Sequence, residues 1–145
     1  MTTVSRTFIV KPDPATVVNY LKDFAHAEAW DPGTEECTQE SHGDIRVGTR
    51  WHNVSKIAGV TTELMYTLET LTPGRLVFKG ENDSAKTTDT ITVQAKAGGS
   101  EITYEAVIEP KGAGKLGEPL LKILFERIGT KTEQQMTEVL DGLVA

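Results

Sequence analysis

The sequence has little of what would mark the simplest functional classes. It contains one cysteine, Cys37, which excludes an internal disulfide and a cysteine-based zinc site. Its three histidines, His26, His42 and His52, form neither an HxH nor an HxxxH spacing, so no metal centre is expected. Basic residues are the minority, 15 Lys and Arg against 21 Asp and Glu, for a net charge of −6. A nucleic-acid binder needs a basic patch to neutralise phosphates, and docking on anionic lipid favours the same sign. No apolar run is long enough to span a bilayer, and none at the N-terminus has the form of a signal peptide. A cytoplasmic protein is therefore expected. There is no G-x-S-x-G motif. The Gly-rich run 111–115 lacks P-loop spacing and reads as a hinge before a helix. Nothing implies a cofactor.

What is present is pattern. A chain of 145 residues is expected to form one domain over 1–145. At that size roughly 68–70% of the unfolded surface can be buried, so neither metal nor disulfide is needed to fold. Near the C-terminus Leu121, Phe125, Ile128, Thr132, Met136, Val139 and Leu143 recur at steps of three and four, and Leu120 and Leu124 widen the stripe. This predicts one amphipathic helix over 116–143, with Lys122, Glu126, Glu133 and Thr137 on the wet face. Two blemishes interrupt it. Gly129 costs up to about 1 kcal/mol in a helix interior, and Thr130-x-x-Glu133 reads as a second capping box. A kink or break is expected there, with the first half as a movable lid.

Upstream the period is two. A strand over 3–11 stops at Pro12. Asp13 can cap a short helix over 15–23, with Pro14 at its first position. A second helical turn over 25–29 ends at Trp30-Asp31-Pro32-Gly33. Strands then follow at 34–41, 48–56, 60–71, 75–79, 86–97 and 100–109. Turns at His42-Gly43-Asp44, Ala58-Gly59, Thr72-Pro73-Gly74, 81–84 and Gly98-Gly99 separate them. Short turns between successive strands make an antiparallel meander. One face is apolar, so the helices must cover it, which is an α+β arrangement.

Local stretches add to this. Pro12-Asp13-Pro14 leads into Val17-Val18-Asn19-Tyr20-Leu21-Lys22-Asp23, with Trp30 close behind. Gly48-Thr49-Arg50-Trp51 opens a strand, Leu71-Thr72-Pro73-Gly74-Arg75-Leu76 forms a turn, and Gly99-Ser100-Glu101-Ile102-Thr103-Tyr104 opens the last strand. With the element order, these make the chain resemble the helix-grip fold of the START/Bet v 1 superfamily. Within it the chain is similar to the small bacterial polyketide cyclase/dehydrase-type proteins. The resemblance covers nearly the whole chain. It implies a seven-stranded antiparallel sheet wrapped around a long C-terminal helix, two short helices between strands 1 and 2, and a cavity between sheet and helix. It implies a small hydrophobic or amphipathic ligand such as a lipid, a polyketide or an aromatic compound. It supplies no catalytic motif to carry over, and the superfamily spans carriers, cyclases and other classes, so fold does not settle function.

Strand parity puts Leu64, Tyr66, Leu68, Leu76, Phe78, Ile91, Val93, Ile102, Tyr104 and Ala106 on the inner face. With the helix stripe, the ligand-contacting candidates are Trp30, Trp51, Tyr66, Phe78, Asp89, Ile91, Tyr104, Leu121, Leu124, Phe125 and Ile128. The first half of the helix should face the cavity, while Met136, Val139 and Leu143 pack as core. Buried Tyr hydroxyls need partners. Asp89 shares parity with Ile91 and Val93. Enclosed, it would have a raised pKa and could act as acid or base, whereas residue statistics favour a solvated strand-end Asp. Arg6 shares parity with Val4 and Phe8. It either counters a carboxylate or sits exposed on an edge strand, the commoner role. Trp51 and His52 face opposite ways: Trp51 inside leaves His52 wet, and the reverse would make His52 a candidate base. Trp30 either lines the entrance or closes the core.

Three functions fit. One is a binding module. Another is a cyclase or dehydratase drawing on Tyr66, Tyr104, Asp89 and His52. The third is a protein-interaction domain with a filled core. The scarcity of convincing inward ionisable groups favours binding. Monomer and homodimer are both compatible with the sequence.

Overall fold

The computed structural model describes residues 1–57, 59–111 and 118–144, with side chains in the last helix from 123 onward. All of the expected hinge at 111–115 except Lys111, and the side chains of Leu120, Leu121 and Lys122, lie outside the described residues. Strand β1 spans Thr2–Val10. Asp13 then caps α1 (Pro14–Leu21), its carboxylate accepting the Thr16 N–H at 3.0 Å, with Pro14 in the first turn where its missing N–H is no loss. Asp23 likewise caps a 3₁₀ turn at Phe24–His26 that runs into α2 (Ala27–Trp30).

The six remaining strands are β2 (Thr34–Gln39), β3 (Arg50–Ile57), β4 (Val60–Thr72), β5 (Arg75–Glu81), β6 (Ala85–Lys96) and β7 (Gly99–Pro110). With β1 they form one seven-stranded antiparallel sheet in the order β1-β7-β6-β5-β4-β3-β2. β1 and β2 lie at opposite edges, so α1 and α2 carry the chain from one edge to the other. Helix α3 (Glu118–Asp141) completes the helix-grip arrangement that the resemblance implies. The β6–β7 turn is centred on Ala97 and Gly98, at φ 51° and 84°, rather than on Gly98-Gly99; Gly99 already belongs to β7.

Register explains where the inner side chains meet. Phe78, Asp89, Ala106 and Val4 form one row across β5, β6, β7 and β1. Gly80, Thr87, Ile108 and Thr2 form the next, and Leu76, Ile91, Tyr104 and Arg6 the row on the other side. Alternation sends all three rows to one face.

The core fills the end of this face under α1 and α2. Phe24 packs its ring against Tyr66 and Phe78 with centroids 4.4 and 4.6 Å apart, and Trp51 meets Phe78 at 5.8 Å. Trp30, Trp51, Phe78 and Ile91 are fully buried. Burying each such side chain is worth about 1.5–3 kcal/mol, so this cluster anchors the fold.

Helix α3 runs unbroken through Gly129, and neither the break nor the second cap forms. Thr130 Oγ1 instead donates back to the Glu126 carbonyl at 3.3 Å. Gly129 is a spacing residue: a β-carbon there would lie 2.5 Å from Val4 Cγ1. Arg6 is not simply an exposed edge residue. It reaches across to α3, donating to the Glu126 carbonyl at 2.8 Å and to Glu126 Oε2 at 3.0 Å. Glu126 is therefore a docking partner, not a residue of the wet face. The core stripe of α3 also differs from expectation. Thr132, Met136 and Leu140 are buried, whereas Leu143, beyond the helix end, is 42% exposed. Steps of four from Thr132 keep that stripe against α2 and β1, the elements α3 approaches most closely.

Candidate functional site

Because α3 leans on β1 and α2, a space remains between it and the middle of the sheet. It is a cavity of about 280 Å³. Leu64, Ala106, Ile108, Phe125 and Ile128 supply apolar wall, and Asp31, Tyr66, Asp89 and Tyr104 supply the polar part.

The polar group is assembled from three places. Tyr66 on β4 lies over Gly80, its cross-strand partner: a β-carbon at Gly80 would meet the ring at 2.7 Å. Only glycine leaves that room. The Tyr66 hydroxyl accepts a hydrogen bond from Thr87 Oγ1 at 3.3 Å, which leaves its own proton free to donate. Asp89 on β6 is 6% exposed and accepts from Tyr104 Oη on β7 at 3.3 Å. Asp31 enters from the turn after α2. Its Oδ1 accepts the Gly33 N–H at 3.1 Å and its Oδ2 accepts the Thr34 hydroxyl at 2.8 Å. A chain of donors holds that turn from behind. Ser55 Oγ donates to Asn53 Oδ1 at 2.6 Å, and Asn53 Nδ2 donates to Thr34 Oγ1 at 3.0 Å.

These surroundings move the protonation equilibria. Burial pushes the Asp89 carboxyl up to about 7, the Asp31 carboxylate adds to the rise, and the Tyr104 hydrogen bond opposes it. Burial also raises Asp31, against the Thr34 and Gly33 hydrogen bonds. Burial, then the Asp89 charge, holds both Tyr66 and Tyr104 well above the ordinary phenol value. The site can thus hold or exchange a proton near neutral pH while keeping both phenols as neutral donors.

Of the eleven candidates, Tyr66, Asp89, Tyr104, Phe125 and Ile128 come together at the cavity. Trp30, Trp51, Phe78 and Ile91 do not line it: all are core, Trp30 from α2 itself and the other three from the sheet. Leu124 is half-buried on α3 and outside the lining, and Leu121 is not among the described side chains. Asp89 also corrects the solvated reading, because its register places it between Phe78 and Ala106 on the covered face. Trp51 points inward, its indole N–H donating to Asp23 Oδ1 at 3.2 Å. His52 lies on the outer face with Nε2 3.0 Å from Glu63 Oε1, and so is not a base for the cavity. Sequence reasoning missed Asp31, Ser55 and Thr87. The last two were within reach, since Ser55 shares parity with Trp51 and Thr87 with Asp89.

Among the described residues no cluster of His, Cys, Asp or Glu could hold a metal ion, and no helix is long and apolar enough to cross a membrane. Comparison with solved structures shows the fold. A START superfamily protein from Mycobacterium smegmatis superposes with a TM-score of 0.82 at 13% identity, covering 99% of this chain and 100% of that one. The Zhui aromatase/cyclase from Streptomyces sp. R1128 superposes with a TM-score of 0.80 at 14% identity, covering 99% and 95%. No curated protein matches the sequence. The family model for polyketide cyclase / dehydrase and lipid transport proteins, however, matches residues 1–145 in full, and the chain belongs to that family.

Proposed function

We propose that the chain binds a small, largely apolar or amphipathic molecule in the cavity between the sheet and α3. One observation carries this reading: a space of about 280 Å³ remains beside a core that is already filled by Trp30, Trp51, Phe78 and Ile91. Protein interiors rarely leave voids larger than a water molecule. The volume sits near the lower end of the roughly 300–1,000 Å³ seen for ligand pockets, which suits a body of one or two rings. Native mass spectrometry of the purified protein, looking for a retained hydrophobic molecule, tests it directly. So does a thermal shift with a neutral aromatic probe, 1-naphthalenemethanol. Ile128→Trp should abolish that shift by filling the space. If no molecule is retained and no apolar probe raises the melting temperature, the reading is lost and a ligand-free interaction domain takes its place.

A second reading draws on the Tyr104–Asp89 hydrogen bond inside the same cavity. Here Asp89, held by Tyr104, moves a proton while Tyr66 donates to a substrate oxygen, as in a cyclase or dehydratase. An aromatase/cyclase among the structural neighbours supports that class. Asp89→Asn and Tyr104→Phe separate the two readings: an enzyme loses turnover and keeps substrate affinity. A cytoplasmic carrier, monomeric or dimeric, without nucleic-acid partners, agrees with the net charge of −6.

A further inference from the structure

The cavity is electrostatically one-sided. Asp31 and Asp89 line it, and among the described residues no Lys, Arg or His does. The cation nearest in register, Arg6, spends its guanidinium elsewhere, on Ser5 and Glu126 carbonyls, Glu126 Oε2 and Thr130 Oγ1. The two carboxyls are also not equally served. Asp31 receives a donor on each oxygen. Asp89, though 6% exposed, receives one bond at 3.3 Å on Oδ2. Its Oδ1 has no donor among the described residues, although an ionised carboxylate can accept about four. Asp89 lines the cavity, so this oxygen is open to a donor that enters it.

Building on the binding reading above, we propose that the cavity selects a cationic amphiphile: a protonated amine on a compact apolar body, with the ammonium group between Asp89 and Asp31. An ammonium supplies three N–H donors and the missing positive charge. Beside carboxyls set into the protein that charge is worth more than in bulk water. A ligand carboxylate would instead bring a third negative group beside two. A neutral carbonyl ligand can accept from Tyr66, but it leaves Asp89 Oδ1 without a donor and the charge of the two carboxyls unbalanced. The groups facing Asp89 are Asp31 from the turn after α2, Tyr66 from β4, Thr87 on its own strand and Tyr104 from β7. β1 and α3 present Val4, Phe125, Ile128, Gly129 and Thr132 to the cavity, none of them charged. Amine binding should therefore favour the ionised Asp89 and expel its proton.

Three probes with one apolar body test this: 1-naphthylmethylamine, 1-naphthalenemethanol and 1-naphthoic acid, each titrated calorimetrically at pH 7.5. The expected order is amine at least tenfold tighter than alcohol, with the acid weakest. Asp89→Asn should collapse the gap between amine and alcohol. Repeating the wild-type amine titration at pH 6.5, where Asp89 is mostly protonated, in buffers of different ionisation enthalpy should reveal proton release, absent for the alcohol. That readout stands even if the variant misfolds. An alcohol or acid that binds as tightly as the amine overturns the proposal and leaves the binding reading intact. So does an amine preference that survives Asp89→Asn, or amine binding without proton release. Failure of all three probes to bind overturns both.

Discussion

Gly129 on α3 lies directly against Val4 on β1: a β-carbon at 129 would sit 2.5 Å from Val4 Cγ1 and 3.3 Å from Arg6 Cζ. Helix propensity alone makes Gly129→Ala stabilising by about 1 kcal/mol. Contact with β1 reverses the sign, because overpacking of this kind costs roughly 1–3 kcal/mol. Urea unfolding should show Gly129→Ala to be less stable than the parent. Combining it with Val4→Ala should cost less than the sum of the two single changes, since the second makes room for the first. An increase in stability from Gly129→Ala alone would mean that α3 does not press on β1 there.

Asp89 makes stability fall with pH. Its carboxyl titrates near 7 in the folded protein and at 3.8 when free. Between those values the folded chain holds a proton that the unfolded chain has released, so stability drops as pH rises through the window and levels off above it. The difference amounts to something on the order of 4 kcal/mol. Asp31, also raised, adds in the same direction. Asp13, Glu81 and Glu101 act the opposite way, held low by hydrogen bonds from Thr16, Lys111 and Lys96. Comparing the parent with Asp89→Asn cancels them. The two should be similar near pH 4, and the variant should be the more stable by a few kcal/mol at pH 8. Equal stability at both pH values would show a solvated Asp89.

Core and cavity wall should separate under mutation. Trp51→Phe removes a fully buried indole and its hydrogen bond to Asp23, and Phe78→Ala empties a core position at about 3–5 kcal/mol. Both should lower the melting temperature and leave the affinity for 1-naphthalenemethanol within about twofold. Phe125→Ala, on the cavity wall, should change that affinity with a smaller loss of stability.

That division was only half legible in the sequence. Parity gave the inner face correctly, because alternation in a strand is geometric, and it flagged Asp89 for the same reason. Parity does not say how far along the sheet the covering helices reach. Trp51, Phe78 and Ile91 share the inner side with Tyr66 and Tyr104, but the segment from α1 through α2, Trp30 included, covers those three and α3 stands away from the others. Asp31 was invisible for a different cause. Its Asp-Pro-Gly turn reads locally as a stop signal, and only the Ser55–Asn53–Thr34 chain, from residues distant in sequence, fixes it beside the cavity. The unbroken α3 is a third case. The helix-breaking tendency of Gly129 is real, yet the contact with Val4 that requires glycine is tertiary.

Ala97 offers a stabilising change far from the cavity. With Gly98 it forms the two-residue β6–β7 turn, both at positive φ, as turns matching the twist of a hairpin require. Gly98 adopts this freely. Ala97 does not, because its β-carbon crowds the following carbonyl at a cost of roughly 1–2 kcal/mol. Asparagine tolerates the left-handed region far better, and Asn-Gly is the favoured pair for such a turn. Ala97→Asn should therefore raise stability by about 0.5–1 kcal/mol, a shift of about 2–4 °C in Tm for a chain of this size. The side chain at 97 is exposed, so no packing is lost. Probe affinity should not move, because the turn touches none of the cavity lining. A drop in Tm would place the turn residues elsewhere, at the Gly98-Gly99 pair, where asparagine at 97 would instead end a strand.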